Sequence, residues 1–150
     1  MTVPTKKVVV FDVDGTLADI NHRRGFVASK PKNWKAFNAG MVDDSPNHDI
    51  IWMNQQFFDQ GCTVVICSGR GDDHKDITVD WLTKHGVKFH DILMRKANDY
   101  RADWIIKTEL LQVIRDTYGN PFLWVDDRDQ VVQAIRAEGV RVLQVAPGDF

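Results

Sequence analysis

Val8-Val9-Val10-Phe11-Asp12-Val13-Asp14-Gly15-Thr16-Leu17 is the stretch whose reading decides the fold. A continuous apolar run is the pattern of a strand buried on both faces of a parallel sheet. It ends in two carboxylates one residue apart, followed by Gly-Thr. Open α/β sheets bind ligands at the carboxyl ends of their strands. Two acids at such a point repel each other and lose hydration, which costs stability unless a cation or a function compensates.

Further apolar runs recur at wide intervals, at 63–67, 88–94, 121–125 and 140–145. Between them lie segments with helical spacing: 50–60, 76–85, 103–118 and 128–138. Each helical segment ends at a glycine and a strand follows, which predicts a wound α/β sheet. Chain length predicts a single domain over 1–150. One interval breaks the rhythm. About thirty residues separate the first strand from the helix at 50–60, too many for an ordinary connection. The stretch of about 18–46 reads as a small lid inserted after the first strand, with one short helix around 33–39.

Lys and Arg number 19 against 21 Asp and Glu, for a net charge of −2, which argues against a generally basic nucleic-acid binder. No apolar run approaches the roughly 20 residues of a membrane span, so no membrane partner is expected. Residues 1–7 carry two lysines before a short run that ends in acids, which is no secretory signal. Cys62 and Cys67 flank one predicted strand, where they cannot easily bridge. Reduced core cysteines in a cytoplasmic protein are the expectation.

Four clusters fall at or just after predicted strand ends: Asp12/Asp14, Ser68-Gly69-Arg70, Asp103 with Lys107, and Asp126-Asp127. Parallel strands bring these ends to one edge. The chemistry they suit is phosphoryl transfer, where a dianionic ester repels an anionic nucleophile and catalysis is largely neutralisation and positioning. Asp12 with Asp126 or Asp127 offers few, hard oxygen ligands, which suits Mg²⁺. Asp12 could attack phosphorus, and Asp14 could protonate the leaving oxygen and later activate water. Ser68, nearby backbone N–H groups and Lys107 would bind phosphate oxygens. Asp103 precedes Lys107 by one helical turn and could fix it. Lys96 is a weaker rival for that lysine.

The ordered set Asp12-Val13-Asp14-Gly15-Thr16, Ser68, Lys107 and Asp126-Asp127 resembles the motifs of the haloacid dehalogenase-like phosphohydrolases. The resemblance spans nearly the whole chain. It implies a Rossmann-like three-layer sandwich with a central parallel sheet, Mg²⁺ dependence and an aspartyl-phosphate intermediate. Residues 11–18, 65–70, Asp126-Asp127-Arg128 and the tail 144–150 are similar to the 3′-phosphatase domain of the bacteriophage polynucleotide kinase-phosphatases. That likeness implies removal of 3′-phosphates from DNA or RNA ends, with a separate kinase or ligase as a candidate pathway partner. It makes Asp12 the nucleophile, Asp14 the acid/base and Arg23 an essential lid arginine. It makes Arg70 and Asp103 with Lys107 phosphate-site residues. Asp126 and Asp127 complete the metal site, with Asp127 and the Asp14 carbonyl as direct ligands. No Gly-x-x-x-x-Gly-Lys-Ser/Thr loop is present, so 5′-kinase activity is not expected of this chain.

The lid holds no acid from Asn21 to Met41 but carries Arg23, Arg24, Lys30, Lys32 and Lys35, with Phe26, Trp34 and Phe37 between them. Basic residues interleaved with aromatics can meet a phosphate backbone and stack a base. Trp34 and Phe37 read equally as the lid's own small core. Arg23 is expected to favour polymer substrates. The five histidines show no ligand spacing, and only His22, beside Arg23, invites a test. Trp52, Trp81, Trp104 and Trp124 read as core. Two other functions compete: a phosphatase of free nucleotides or other small phosphomonoesters, using the same residues, and a non-catalytic phospho-acceptor switch, in which the acids come in a different order.

Overall fold

In the computed structural model, which describes residues 6–150, the opening apolar run is the middle strand of a five-stranded parallel sheet. Residues 1–5, part of the stretch read above as no secretory signal, lie outside the described residues. Strand β1 (Val8–Phe11) pairs with β4 (Thr63–Gly71) on one side and β6 (Leu123–Asp126) on the other. Strand β5 (Asp91–Arg95) lies outside β4, and β7 (Val142–Gln144) outside β6. The order β5-β4-β1-β6-β7 reverses direction of growth beside β1, the point where such sheets open a ligand crevice.

Side chains alternate across β1, so its two faces belong to two cores. Val9 and Phe11 pack with Ile51 of helix α3 (His48–Asp59) and Trp81 and Leu82 of α4 (Lys75–Lys84). Val8 and Val10 pack with Leu111 and Ile114 of α5 (Asp103–Thr117) and Val131, Val132 and Ile135 of α6 (Asp129–Ala137). This is the three-layer α/β/α sandwich that the sequence rhythm and the resemblance implied. All four β1 side chains are buried, and each such burial contributes about 1.5–3 kcal/mol. The strand is thereby held from both sides, which fixes where its carboxyl end points.

The strand bounds differ from the apolar runs in two places with a visible cause. Strand β4 continues through Ser68-Gly69-Arg70 to Gly71, with a register shift against β5 between Ser68 and Gly71. That motif lies within an irregular strand end and not after it. Strand β5 starts at Asp91 and not Lys88, because the Asn54 side chain takes both the N–H (2.8 Å) and the C=O (2.9 Å) of Lys88.

The lid stands on a two-stranded antiparallel stem, β2 (Ala18–Asp19) against β3 (Ser45–Pro46). Between these strands lie α1 (Asn21–Ala28), α2 (Trp34–Ala39) and a 3₁₀ turn, Gly40–Asp43. Where the spacing predicted one helix there are two. Helix α2 is signalled by Asn33, whose Oδ1 accepts from Ala36 N at 3.1 Å as an N-cap. Helix α1 gives no periodic apolar signal, because the one side chain it buries is Arg23.

Trp81 and Trp124 are core as expected, but Trp52 is 63% and Trp104 44% exposed. Helix α3 turns Ile51 and Asn54 inward, and Trp52 falls on the outer side. No helix among the described residues is long and apolar enough to cross a membrane. Urea unfolding is expected to separate the two kinds of tryptophan. Trp124→Ala should lower stability by about 3–5 kcal/mol, and Trp52→Ala should change it by less than about 0.5 kcal/mol.

Candidate active site

The carboxyl edge of the sheet gathers Asp12 just past β1, Asp126 at the end of β6 and Asp127 just past it. All three are buried, and one carboxylate oxygen from each lies within 4.8 Å of the others. Lys107 reaches the same spot from α5. Its Nζ donates to Asp12 Oδ1 at 2.6 Å and Asp126 Oδ2 at 2.9 Å. Asp103, predicted as its partner by spacing, stands 3.9 Å off and is the weaker contact. The Asp12 charge lies across the strand edge and closer, so it wins. Lys96, the rival lysine, is exposed.

The three acids are not equivalent. Asp126 spends both oxygens: Oδ2 accepts from Lys107 and from Trp124 Nε1 (3.1 Å), and Oδ1 accepts from the N–H groups of Asp127 (2.8 Å) and Arg128 (3.3 Å). Asp12 Oδ2 accepts from Thr16 Oγ1 at 2.9 Å. Asp127 Oδ2 is buried and accepts no hydrogen bond. A buried carboxylate oxygen left without a donor is unfavourable. Among the described residues it forms an ion pair with the Arg24 guanidinium at 3.5 Å. Oxygen donors only, a net negative cluster and one open oxygen fit a small hard divalent cation at Asp12 and Asp127.

The titration behaviour follows from this imbalance. Burial, then repulsion from Asp126, pushes Asp12 well above the usual carboxylate range, although Lys107 opposes the shift. Burial and Asp126 push Asp127 up to about 6. Burial alone would weaken the Lys107 ammonium, but the charges of Asp12 and Asp126 outweigh it and hold its pKa well above the ordinary value. Two glycines make room for the cluster. Gly15 has φ +83°, and a Cβ there would fall 2.0 Å from Asp127 Oδ2. A Cβ on Gly69 would fall 2.1 Å from Asp103 Oδ1.

Asp14, two residues from Asp12, sits in an opposite environment. Arg70 Nη2 donates to its Oδ1 at 2.6 Å and Arg23 Nη2 at 2.8 Å. Burial would raise the Asp14 pKa, but Arg70 and Arg23 overcome it and hold the group below the usual range. Both arginines also donate to Asp44, Arg23 from Nε (2.7 Å) and Nη2 (2.8 Å) and Arg70 from Nη2 (3.1 Å). Two carboxylates and two guanidinia thus form a charge-balanced quartet, buried except at Asp14, whose side chain is 24% exposed. Trp81 Nε1 donates to the Asp44 carbonyl at 2.9 Å and ties the quartet to α4. His22 Nε2 lies 2.7 Å from Asp44 Oδ1.

This places Arg23 differently from the expectation of a polymer contact. Its side chain is 0% exposed and its remaining donor group bonds the Phe37 carbonyl at 3.3 Å, so it has nothing to offer a strand. Phe37 packs under that guanidinium, with Arg23 Cζ 4.3 Å from the ring centre, and Trp34 points outward at 54% exposure. Ser68 is buried, and its Oγ accepts from Arg70 N at 3.1 Å, which leaves the hydroxyl proton for another acceptor. Arg95 Nε donates to the Gly69 carbonyl at 2.8 Å and braces the strand end. Asp44 is the contributor that motif reading did not name, and Thr16 and Arg24, both named, take contacts that it did not assign. Asp44 is buried and Asp43 before it exposed, and nothing in the sequence separates the two.

Comparison with known proteins gives the same picture. The family model for the polynucleotide kinase PNKP phosphatase domain matches residues 6–150. A chain of the Pnkp1/Rnl/Hen1 complex is 32% identical with a TM-score of 0.81, over 97% of this chain and 47% of that one. A chain of the Pnkp1/Rnl/Hen1 RNA repair complex is 32% identical with a TM-score of 0.82, over 97% and 44%. The present chain therefore spans less than half the length of these relatives. A class C acid phosphatase from Bacillus anthracis shares the fold at 15% identity and a TM-score of 0.66, over 98% and 68%.

Two stability measurements test the electrostatics. Asp127 has a folded pKa of about 6 against an ordinary 3.8, so the folded chain holds this proton more tightly between those values. Its stabilising contribution is complete below the lower value and lost as pH rises through the upper one. Tm of metal-free protein should therefore rise between about pH 7 and about pH 5, and Asp127→Asn should flatten that rise. Asp44→Ala leaves two buried guanidinia with Asp14 as their one remaining carboxylate and should lower stability by about 3–5 kcal/mol in urea unfolding.

Proposed function

The chain belongs to the family of polynucleotide kinase PNKP phosphatase domains, and on that premise we propose that it removes 3′-phosphates from nucleic-acid ends with Mg²⁺, through an aspartyl-phosphate on Asp12. The family is one of haloacid dehalogenase-like phosphatases, so phosphomonoester hydrolysis is the activity. The observation that carries the mechanism is the buried Asp12 carboxylate. It lies beside an ammonium and an open Asp127 oxygen, with Asp14 held in a separate cationic nest two residues on. Strand ends as substrate are supported by the RNA repair complex that contains one of the relatives. A kinase or ligase working on the same ends is the partner this suggests. Two free buried cysteines accord with a cytoplasmic setting.

Asp12, Asp127 and the Asp14 carbonyl would hold Mg²⁺, which when bound screens the charge of the phosphate from that of the nucleophile. Lys107 and the Ser68 hydroxyl neutralise and orient the phosphoryl oxygens. An Asp12 oxygen forms the new bond to phosphorus as the bond to the 3′-oxygen breaks. Asp14 gives that oxygen a proton. Ionised in the resting site, Asp14 takes this proton from solvent once the dianionic phosphate has arrived and offset the pull of Arg70 and Arg23. A water then attacks the aspartyl-phosphate, Asp14 takes its proton, and phosphate leaves with Asp12 restored.

The test is phosphate release from a 3′-phosphorylated oligonucleotide in Mg²⁺ and in chelator. Release should require the metal, and Asp12→Asn should slow it by more than about a thousandfold. Comparable efficiency on a 3′-mononucleotide would instead favour a small-phosphomonoester enzyme.

A further inference from the structure

At the rim of the catalytic cluster an aromatic ring lies beside two guanidinia, and apart from the 3.5 Å approach of Arg24 to Asp127 the site chemistry above gives them no role. Residues 145–150 follow β7 and fold back across the start of α6. Gly148 O accepts from Asp129 N at 2.8 Å. A Cβ on Gly148 would fall 1.9 Å from the Asp127 carbonyl, so the tail presses on the backbone of the cluster itself. At its end the Phe150 ring is 47% exposed. Arg24 Cζ, from lid helix α1, lies 4.6 Å from the ring centre, and Arg128 Cζ lies 5.1 Å from it. Arg128 Nε also donates to the Phe150 carbonyl at 2.8 Å. The residue is thus held by its backbone and by two neighbouring guanidinia, and nearly half of it stays open to solvent.

Neither arginine is used up by these contacts. Arg24 Nε is buried without a hydrogen-bond partner, and its nearest acid, Asp127, is 3.5 Å away. Arg128 has its nearest acid, Asp103, at 3.6 Å. Both side chains remain about a third exposed, 35% and 30%. A flat ring beside partly exposed guanidinia matches a single-stranded chain, whose bases stack and whose phosphates take up the charge.

We propose that Arg24, Phe150 and Arg128 form the binding ridge for the strand that leads into the site, with a base stacked on Phe150 and its backbone phosphates on the two arginines. This rests on the reading that strand ends are the substrate. The ridge selects for a polymer at the edge of the catalytic cluster, and it relies on the flat face of residue 150.

The experiment uses three forms of the protein: wild type, Phe150→Leu, which keeps apolar bulk but loses the flat face, and Phe150→Trp, which keeps the face. Binding of a fluorescent 3′-hydroxyl oligonucleotide is read by anisotropy. Kinetics compare a 3′-phosphorylated oligonucleotide with p-nitrophenyl phosphate. Phe150→Leu should weaken oligonucleotide binding about tenfold. It should also lower the ratio of kcat/KM on oligonucleotide to kcat/KM on the aryl phosphate by a similar factor, and Phe150→Trp should restore both. Arg24→Gln should reduce the salt dependence of oligonucleotide binding by about one unit of slope. Equal losses on both substrates, or a Phe150→Leu protein that binds the oligonucleotide as wild type does, would overturn the ridge while leaving strand-end hydrolysis standing. A wild-type protein that hydrolyses the aryl phosphate but neither binds nor dephosphorylates the oligonucleotide would remove both.

Discussion

A single ammonium, that of Lys107, faces three buried carboxylates at one end of the sheet, and the cluster is left short of positive charge. That shortage is the constraint from which the rest follows. It pushes the Asp12 and Asp127 protons to higher pH, leaves an Asp127 oxygen unpaired and creates the demand for a cation. Burial is what makes the shortage matter, because a surface cluster would be screened by water and salt. The sandwich supplies that burial. Strand β1 is packed from both sides, and α5 carries Lys107 along the same inward stripe as Leu111 and Ile114. A lysine at a core position costs stability in any protein that does not need its charge there.

The neighbouring quartet shows the converse. Asp14 and Asp44 face Arg23 and Arg70, the charges cancel, and Asp14 is held ionised. Two carboxylates two residues apart on one loop are thereby driven in opposite directions, Asp12 up by burial and Asp126, and Asp14 down by Arg70 and Arg23, and a cation beside Asp12 would act against its shift. Half of the quartet, Arg23 and Asp44, comes from the lid. The lid is therefore part of the electrostatics of the core site, held down by Asp44 through Arg70 and Trp81. Through Arg23 the lid adds to the hold on Asp14, of which Arg70 on β4 supplies the larger part.

The sheet was legible because apolar runs and glycine-terminated helical segments are local signals. The catalytic acids were legible because their spacing sits at a strand end, where acids have no structural reason to be. What escaped reading was set by partners distant in sequence. Asp44 looks like Asp43 until Arg23 and Arg70 are brought to it. Helix α1 has no apolar stripe, because its inward residue is an arginine satisfied by acids and not by oil. Trp52 lies beside Ile51 in a hydrophobic segment, and only the phase of the helix decides which of the two is buried. Asp103 obeyed the helical pairing rule, yet closer acids on other elements took most of the Lys107 contact.

Phase also separates the two lid arginines. Successive residues of a helix point about 100° apart, so Arg23 and Arg24 cannot serve the same face. Arg23 turns inward and its donors go to Asp14, Asp44 and the Phe37 carbonyl. Arg24 turns toward the rim, where it meets Asp127 and the Phe150 ring. The arginine that matches the family motif is therefore consumed in building the site, and its neighbour is the one that stays partly exposed at the rim. A basic lid on a chain of net negative charge makes sense on these terms. One cation completes the interior, and the next along the chain remains available to a polyanion arriving at the mouth.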